Sequence, residues 1–337
     1  MSWAWVANPM VPSTLFEYTI AGNGIDFGLC VSSGQVFRWQ FQNGIWRGSI
    51  GSAGFEVTEV GLDPSAGSDG PAGGLSVRSN VPQGEFVRIF GTDRTDGQWF
   101  GEVLSRDPDL AVALECCRGL RLIQQDDPVE TLFSFICSAN NHVSRIEAMV
   151  RRLAGYGPEP GFPSLEALAG INSGDLRKVG FGYRAERIPA AASAVIRLGG
   201  RDWLDGLKSL ESVVAVQELQ ALPGVGPKVA ECVALFGLGH GDVVPIDTHI
   251  WNAVCRRYFS DMRGLGLTPV RRKLVGDHLR ERFGSEAGLA HLVLFVDELK
   301  NWRHRRKASP ARPDANPSAG RGCPARRGRA ATAAKVT

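Results

Sequence analysis

No uninterrupted apolar run in this chain of 337 residues approaches the roughly 18 residues needed to cross a bilayer. The first residues, MSWAWVANPMVPSTLFEY, lack the positively charged start and apolar run of a secretory signal. The expected partners therefore exclude a membrane. The expected location is inside a cell, in nucleoid or cytoplasm for a bacterial host and in the nucleus for a eukaryotic one. The sequence also has no CxxC pair, no HExxH and no EF-hand loop, so no metal site is expected. Its seven cysteines (30, 116, 117, 137, 232, 255 and 323) are odd in number and lack disulfide-framework spacing. They read as reduced thiols, with Cys116 and Cys117 buried on a helix.

A large positive charge on the body is also missing. The net charge is +3, but residues 303–337 hold ten Lys/Arg against one Asp, so the tail carries +9 and the rest −6. Any affinity of the body for nucleic acid must come from placed residues, not from overall charge. Hydrophobic content of 43% and charged content of 22% suffice for two modest cores.

The first 115 residues read as strand-rich. FEYTI, QVFRWQF, GIWRGSI and FEVTEVGL are short, β-branched or aromatic, and separated by turn residues. LDPSAGSDGPAGG at 62–74 reads as a loop between two strands. From about Asp109 helical spacing takes over. Apolar stripes occur at Ile146, Met149, Val150 and Leu153, at Val229, Cys232, Val233 and Phe236, and at Leu289, Leu292, Val293 and Val296. The expectation is an α+β protein with three parts: an antiparallel β domain over 1–115, a helical domain over 116–302, and a disordered basic tail over 303–337.

The most informative segment is LPGVGPKVAEC, 222–232. One helix ends near Leu222 and another begins near Pro227, a residue suited to a first turn. Gly224 and Gly226 are expected to supply positive φ and close approach in the hairpin between them. The exposed amides at the second helix start can accept a phosphate oxygen without touching a base. Lys228 stands in that first turn, where helix dipole and burial both disfavour a cation. Its amine pKa is expected below the ordinary value of about 10.4, which raises its nucleophilicity. A lone lysine reads as a surface residue; the hairpin and a second motif change that. The second motif is VPIDTHIW, 244–251, in which Asp247 precedes a stripe at Ile250, Val254 and Tyr258 and reads as a helix N-cap. An aimed carboxylate there can also stabilise positive charge developing on a deoxyribose.

Together, LPGVGPKVAEC and VPIDTHIW resemble the helix-hairpin-helix, Gly/Pro-rich loop and aspartate superfamily of DNA glycosylases, most nearly its 8-oxoguanine branch. Four more segments fall in the order that branch has: SSGQVFRW at 32–39, LFSFICSANNHVSRI at 132–146, GFGYRAERI at 180–188 and AGLAHLVLF at 287–295. The resemblance covers roughly residues 13–302. It implies a TBP-like antiparallel β domain before the all-α helix-hairpin-helix domain, and a bifunctional DNA glycosylase/AP lyase that removes 8-oxoguanine opposite cytosine. The implied partner is double-stranded DNA containing oxidised guanine, with no cofactor and a monomeric protein. Lys228 would form the Schiff base with Asp247 assisting.

The same resemblance assigns the remaining roles. Asn140 fills the gap left by the extruded base, Arg145 and Arg184 reach the estranged cytosine, and Tyr183 wedges beside it. The Gly34 carbonyl accepts from the N7–H that distinguishes the lesion, Phe295 and Cys232 sandwich the base, and His249 contacts the phosphate or sugar nearby. At His291 the chain departs from the glutamine usual in eukaryotic members. An imidazole offers two distinct nitrogens and a pH-sensitive charge there. Two other readings stand beside this one. An alkylated-base glycosylase shares the plan but typically lacks the hairpin lysine, and a non-catalytic helix-hairpin-helix module needs the glycines alone.

Overall fold

The computed structural model describes residues 15–60, 73–93, 107–115 and 117–308. The expected readings of 62–72, Cys116, Cys323 and 309–337 lie outside these residues. Strands β1 (Phe16–Ala21), β2 (Trp39–Gln42), β3 (Ile45–Ile50), β4 (Ala53–Val60) and β5 (Gly74–Ser79) form one antiparallel sheet in the order β1-β5-β4-β3-β2. Alternation along β4, with Ala53, Phe55 and Val57 buried, faces the sheet onto helices α1 (Phe27–Ser32) and α2 (Gln83–Phe90). The intervening core is aromatic: Phe86 and Phe90 lie 4.5 Å apart, Phe27 lies 5.0 Å from Phe90, and Trp39 packs edge-on against Phe27 at 5.3 Å. A side chain on Gly48, which pairs with Trp39, would meet that indole at 2.3 Å, so glycine is required there.

Two details differ from the sequence reading. QVFRWQF is strand only from Trp39 onward, because residues 35–38 are all buried and the two-residue alternation is lost. Helices α1 and α2 also lie within the part read as strands.

The helical part comprises α3 (Ala111–Glu115), α4 (Pro128–Ser138), α5 (Val143–Ala154), α6 (Leu165–Ala169), α7 (Ser173–Lys178), α8 (Arg184–Leu198), α9 (Arg201–Gly206), α10 (Ser212–Gln220), α11 (Pro227–Leu238), α12 (Thr248–Arg257), α13 (Pro269–Phe283) and α14 (Ala287–Ala308). All eleven residues of α4 are buried, and its Phe135 stacks on Phe236 of α11 at 5.4 Å. Helix α14 runs to Ala308, six residues into the expected disordered tail. Among the described residues no helix is long and apolar enough to span a membrane, and no group of three or more His, Cys, Asp or Glu is arranged to hold a metal ion.

The change from strands to helices falls inside one compact unit that extends through Lys300. Polar contacts fix the two parts to each other. Gln35, wholly buried, donates to the Arg121 carbonyl at 2.9 Å and accepts from the Ile123 amide at 2.8 Å, while its own carbonyl accepts from Gln125 at 2.6 Å. Arg38 pairs with buried Glu130 of α4 at 3.5 Å, and the Glu130 carboxyl accepts from the Gly51 amide at 2.9 Å. Burial pushes the Glu130 carboxyl up to about 7 despite Arg38.

Candidate active site and DNA interface

Helices α10 and α11 are joined by a hairpin whose Leu222 and Val225 are buried and whose tip is open. The two hairpin glycines serve different needs. Gly224 has φ +84°, and a Cβ there would lie 2.9 Å from the Cβ of Arg187. Gly226, expected to be left-handed as well, is extended at φ −91° and ψ 178°, with nothing within 4 Å of where a Cβ would stand. It caps α11 without a side chain, which leaves first-turn amides uncovered beside open space.

Lys228 follows in the first turn of α11, half-buried, with Nζ 5.6 Å from the centre of the Phe135 ring. Cys232, one turn on, is buried. Burial draws the Lys228 ammonium down, but Cys232 and Asp247 push it up further, and the net displacement is upward. The lowered amine expected there is therefore corrected: Cys232 and Asp247 outweigh burial. Burial also lifts the Cys232 thiol to about 11. The resting site holds an ammonium that must lose its proton before it can attack.

Asp247 caps α12, its Oδ1 accepting from the His249 amide at 2.9 Å and the Ile250 amide at 3.0 Å. The preceding loop is fixed by Glu231 of α11. Its carboxylate accepts from the Ile246 amide at 3.1 Å and pairs with Arg272 at 2.7 Å. The His249 side chain is exposed beside the cap. From α14, buried His291 and half-buried Phe295 complete the group, their rings 6.3 Å apart and near-parallel at 16°. Gly34 approaches from the sheet side: at φ +86°, a Cβ on it would lie 3.3 Å from Phe295. Lys228, Cys232, Asp247, His291, Phe295 and Gly34, far apart in sequence, thus converge on one place. Burial pushes His291 down to about 4.

A second group carries the remaining expected residues. Asn140, exposed and at φ +50°, tops the turn after α4. The Ala139 carbonyl beside it accepts from the Tyr183 hydroxyl at 2.8 Å and from Arg184. Arg184 also donates to the Asn140 carbonyl at 3.2 Å and is 2% exposed, so this structure turns it inward to brace the turn. Tyr183 is 44% exposed, and Arg145, also exposed, donates to the Gly180 carbonyl at 2.9 Å. Arg187 ties the two groups together. Its guanidinium lies 4.5 Å from the Tyr183 ring while its stem lies against Gly224.

The comparisons with known proteins point to one family. The family model of HhH-GPD superfamily base excision DNA repair proteins matches residues 133–266, from α4 to beyond α12. N-glycosylase/DNA lyase OGG1 of Arabidopsis thaliana is 33% identical over 298 residues, which cover 84% of this chain and 80% of that protein. This chain belongs to the N-glycosylase/DNA lyase family. Among solved structures, an 8-oxoguanine glycosylase/lyase from Clostridium acetobutylicum, bound to double-stranded DNA with cytosine opposite 8-oxoG, aligns with TM-score 0.71 and 27% identity, over 86% of this chain and 98% of that one. MBOgg1 in complex with a low-affinity DNA ligand aligns with TM-score 0.71 and 28% identity, over 85% and 96%.

Within this N-glycosylase/DNA lyase chain, several residues that shape the site escaped the sequence reading. Phe135 under Lys228, Glu231 behind the aspartate loop and Arg187 between hairpin and tyrosine all lie inside quoted motifs, yet spacing gave them no role. Gln35 had a local signal, since it follows Gly34 in a polar stretch and is wholly buried. Its partners around Arg121 lie too far along the chain to be inferred.

Proposed function

We propose that the protein excises 8-oxoguanine opposite cytosine from duplex DNA and then cuts the strand, with Lys228 as nucleophile. The observation that carries this reading is the meeting of Lys228, Cys232 and the capped Asp247 against His291, Phe295 and Gly34. The family adds N-glycosylase and AP-lyase chemistry, and the Clostridium acetobutylicum relative supplies the lesion and its partner base.

In this reading the hairpin amides take a backbone phosphate, and Asn140 fills the gap as the lesion leaves the stack. Tyr183 wedges beside the estranged cytosine, and Arg145 reaches its acceptor edge. Arg184 joins it by exchanging the carbonyls it holds in the free protein for the base. His249 meets the phosphate or sugar near the lesion, and the Gly34 carbonyl tests for N7–H between Phe295 and Cys232.

Once deprotonated, Lys228 attacks the anomeric carbon with its nitrogen lone pair as the glycosidic bond breaks, and the bond electrons leave with the base. Asp247 stabilises the positive charge that develops on the sugar. The new secondary amine gives up a proton and its lone pair expels O4′, which takes up a proton, so the C1′–O4′ bond breaks and a protonated imine forms. The imine acidifies the adjacent C2′–H, and loss of that proton with cleavage of the C3′–O bond expels the 3′ phosphate. No cofactor is needed, and a monomer suffices.

The lysine also separates this reading from a water-dependent alkylated-base glycosylase. Base release and strand cleavage are measured separately on 8-oxoguanine·cytosine and 8-oxoguanine·adenine duplexes. The proposal requires both activities on the first and slower release on the second. Release without cleavage would refute the lyase part, and inertness toward the lesion would refute the substrate.

A further inference from the structure

Arg187 stands apart from the arginines around it. Arg184 turns inward to the Ala139 and Asn140 carbonyls, Arg145 donates to the Gly180 carbonyl, Arg152 donates to the Val179 carbonyl, and Arg177 pairs with Glu186. Arg187 is exposed at the end of the first turn of α8 and has no hydrogen bond or ion pair among the described residues. Its place in the helix gives no reason for a cation, which the dipole disfavours in a first turn. Five N–H donors are thus left without a protein acceptor there. The side chain is nevertheless held. Its guanidinium lies 4.5 Å from the centre of the Tyr183 ring, and a Cβ on Gly224 would lie 2.8 Å from its Cδ, 2.9 Å from its Cβ and 3.1 Å from its Cγ. The stem packs on the hairpin and the head on the tyrosine, so less rotamer freedom remains to be lost when a ligand binds.

We propose that Arg187 is a DNA-binding residue that grips a backbone phosphate between the hairpin and the Tyr183 wedge; this inference rests on the base-excision reading of the same face. Two features choose a phosphate over a base edge. The hairpin beside Arg187 leads into the uncovered first-turn amides of α11, a surface that takes phosphate and reads no base. The charge of Arg187 has no carboxylate to balance it among the described residues. A phosphodiester supplies that charge together with two oxygens suited to the guanidinium fork, whereas a base edge supplies acceptors alone. The chain up to residue 302 is net negative, so its attraction to DNA depends on placed cations of this kind.

The test is binding of the full chain to a duplex with a tetrahydrofuran abasic site opposite cytosine, which cannot form the imine. Fluorescence anisotropy follows it between about 50 and 200 mM KCl. Arg187→Met keeps a stem against Gly224 and removes the charge. Its log–log slope of affinity against salt should be shallower than that of wild type by about 0.9, so wild type loses about 3.5-fold more affinity across that range. At the low-salt end the variant should bind about 10- to 100-fold more weakly. Arg187→Lys should keep the wild-type slope, since a point charge still neutralises a phosphate, while binding more weakly without the fork. A residue that only props Tyr183 or the hairpin would weaken binding without moving the slope, so an unchanged slope in Arg187→Met overturns the proposal. Neutral methylphosphonates placed singly at the linkages flanking the site then locate the contact. At one linkage wild type should lose about tenfold and Arg187→Met less than about threefold. Equal losses in the two proteins at every linkage overturn the phosphate assignment. If Arg187→Met does not fold, Arg187→Gln takes its place in both measurements. Wild type that shows the slope difference but is inert toward 8-oxoguanine opposite cytosine would refute the substrate reading alone. Wild type that binds no duplex would refute that reading and this inference together.

Discussion

Replacing each hairpin glycine by alanine separates backbone strain from DNA contact. Alanine at Gly224 must hold φ +84°, which costs about 1–2 kcal/mol for a residue with a side chain. It also meets Arg187 at 2.8 Å from Cδ and 2.9 Å from Cβ. The Cβ is the anchored end of that side chain, so the helix must give as well, adding about 1–2 kcal/mol. A loss of about 2–4 kcal/mol should lower the melting temperature by roughly 5–10 °C in a protein of this size. Alanine at Gly226 faces the opposite situation: its φ is −91° and nothing lies within 4 Å. Its stability cost should stay below about 1 kcal/mol, the difference between the two residues at an N-cap. The new methyl stands where a phosphate would reach the α11 amides, so affinity should fall about 10- to 100-fold, the effect of one lost charge-assisted hydrogen bond. Thermal melts and fluorescence anisotropy on an undamaged duplex measure the two quantities. Equal melting losses in both variants, or unchanged binding in Gly226→Ala, would refute the distinction.

Three further outcomes follow from the same geometry. Asp247→Asn keeps a helix-capping oxygen but removes the charge, so stability should change by less than about 1 kcal/mol while single-turnover excision falls about 100- to 1,000-fold. Glu130 titrates near 7 in the folded chain against an ordinary 4.5. Its folded pKa is raised, so its contribution to stability is present below about pH 4.5 and is lost as pH climbs through 7. Glu130→Gln should therefore gain in melting temperature relative to wild type between pH 4.5 and pH 7 and above, and a parallel pH dependence of the two proteins contradicts this. Tyr183→Ala removes a ring stacked by Arg184 at 4.4 Å and Arg187 at 4.5 Å, and should weaken lesion-duplex binding about tenfold by anisotropy.

Much of the architecture was legible because it rests on local periodicity. The α5 stripe at Ile146, Met149, Val150 and Leu153 is buried throughout, as are Val229, Cys232, Val233 and Phe236 on α11. The hairpin and the Asp247 cap were legible because Gly, Pro and Asp have narrow local uses. Helix α2 left a signal that the strand reading passed over, since Phe86, Ile89 and Phe90 follow helical spacing and are all buried. The upward displacement of Lys228 was not legible, because it depends on Cys232 and Asp247 both being brought against the amine, which residue types and spacing do not show. The extended Gly226 beside the left-handed Gly224 shows that composition gives conformational freedom without saying where it is used.

The central claim is that Lys228 is the nucleophile for an oxidised guanine, and borohydride trapping tests it most directly. A duplex with one 8-oxoguanine opposite cytosine is incubated with protein and reductant beside an undamaged duplex and Lys228→Gln. The account predicts a covalent protein–DNA adduct on the lesion duplex alone, absent in the variant. An adduct that persists in Lys228→Gln, or base release by wild type with no adduct, would contradict it.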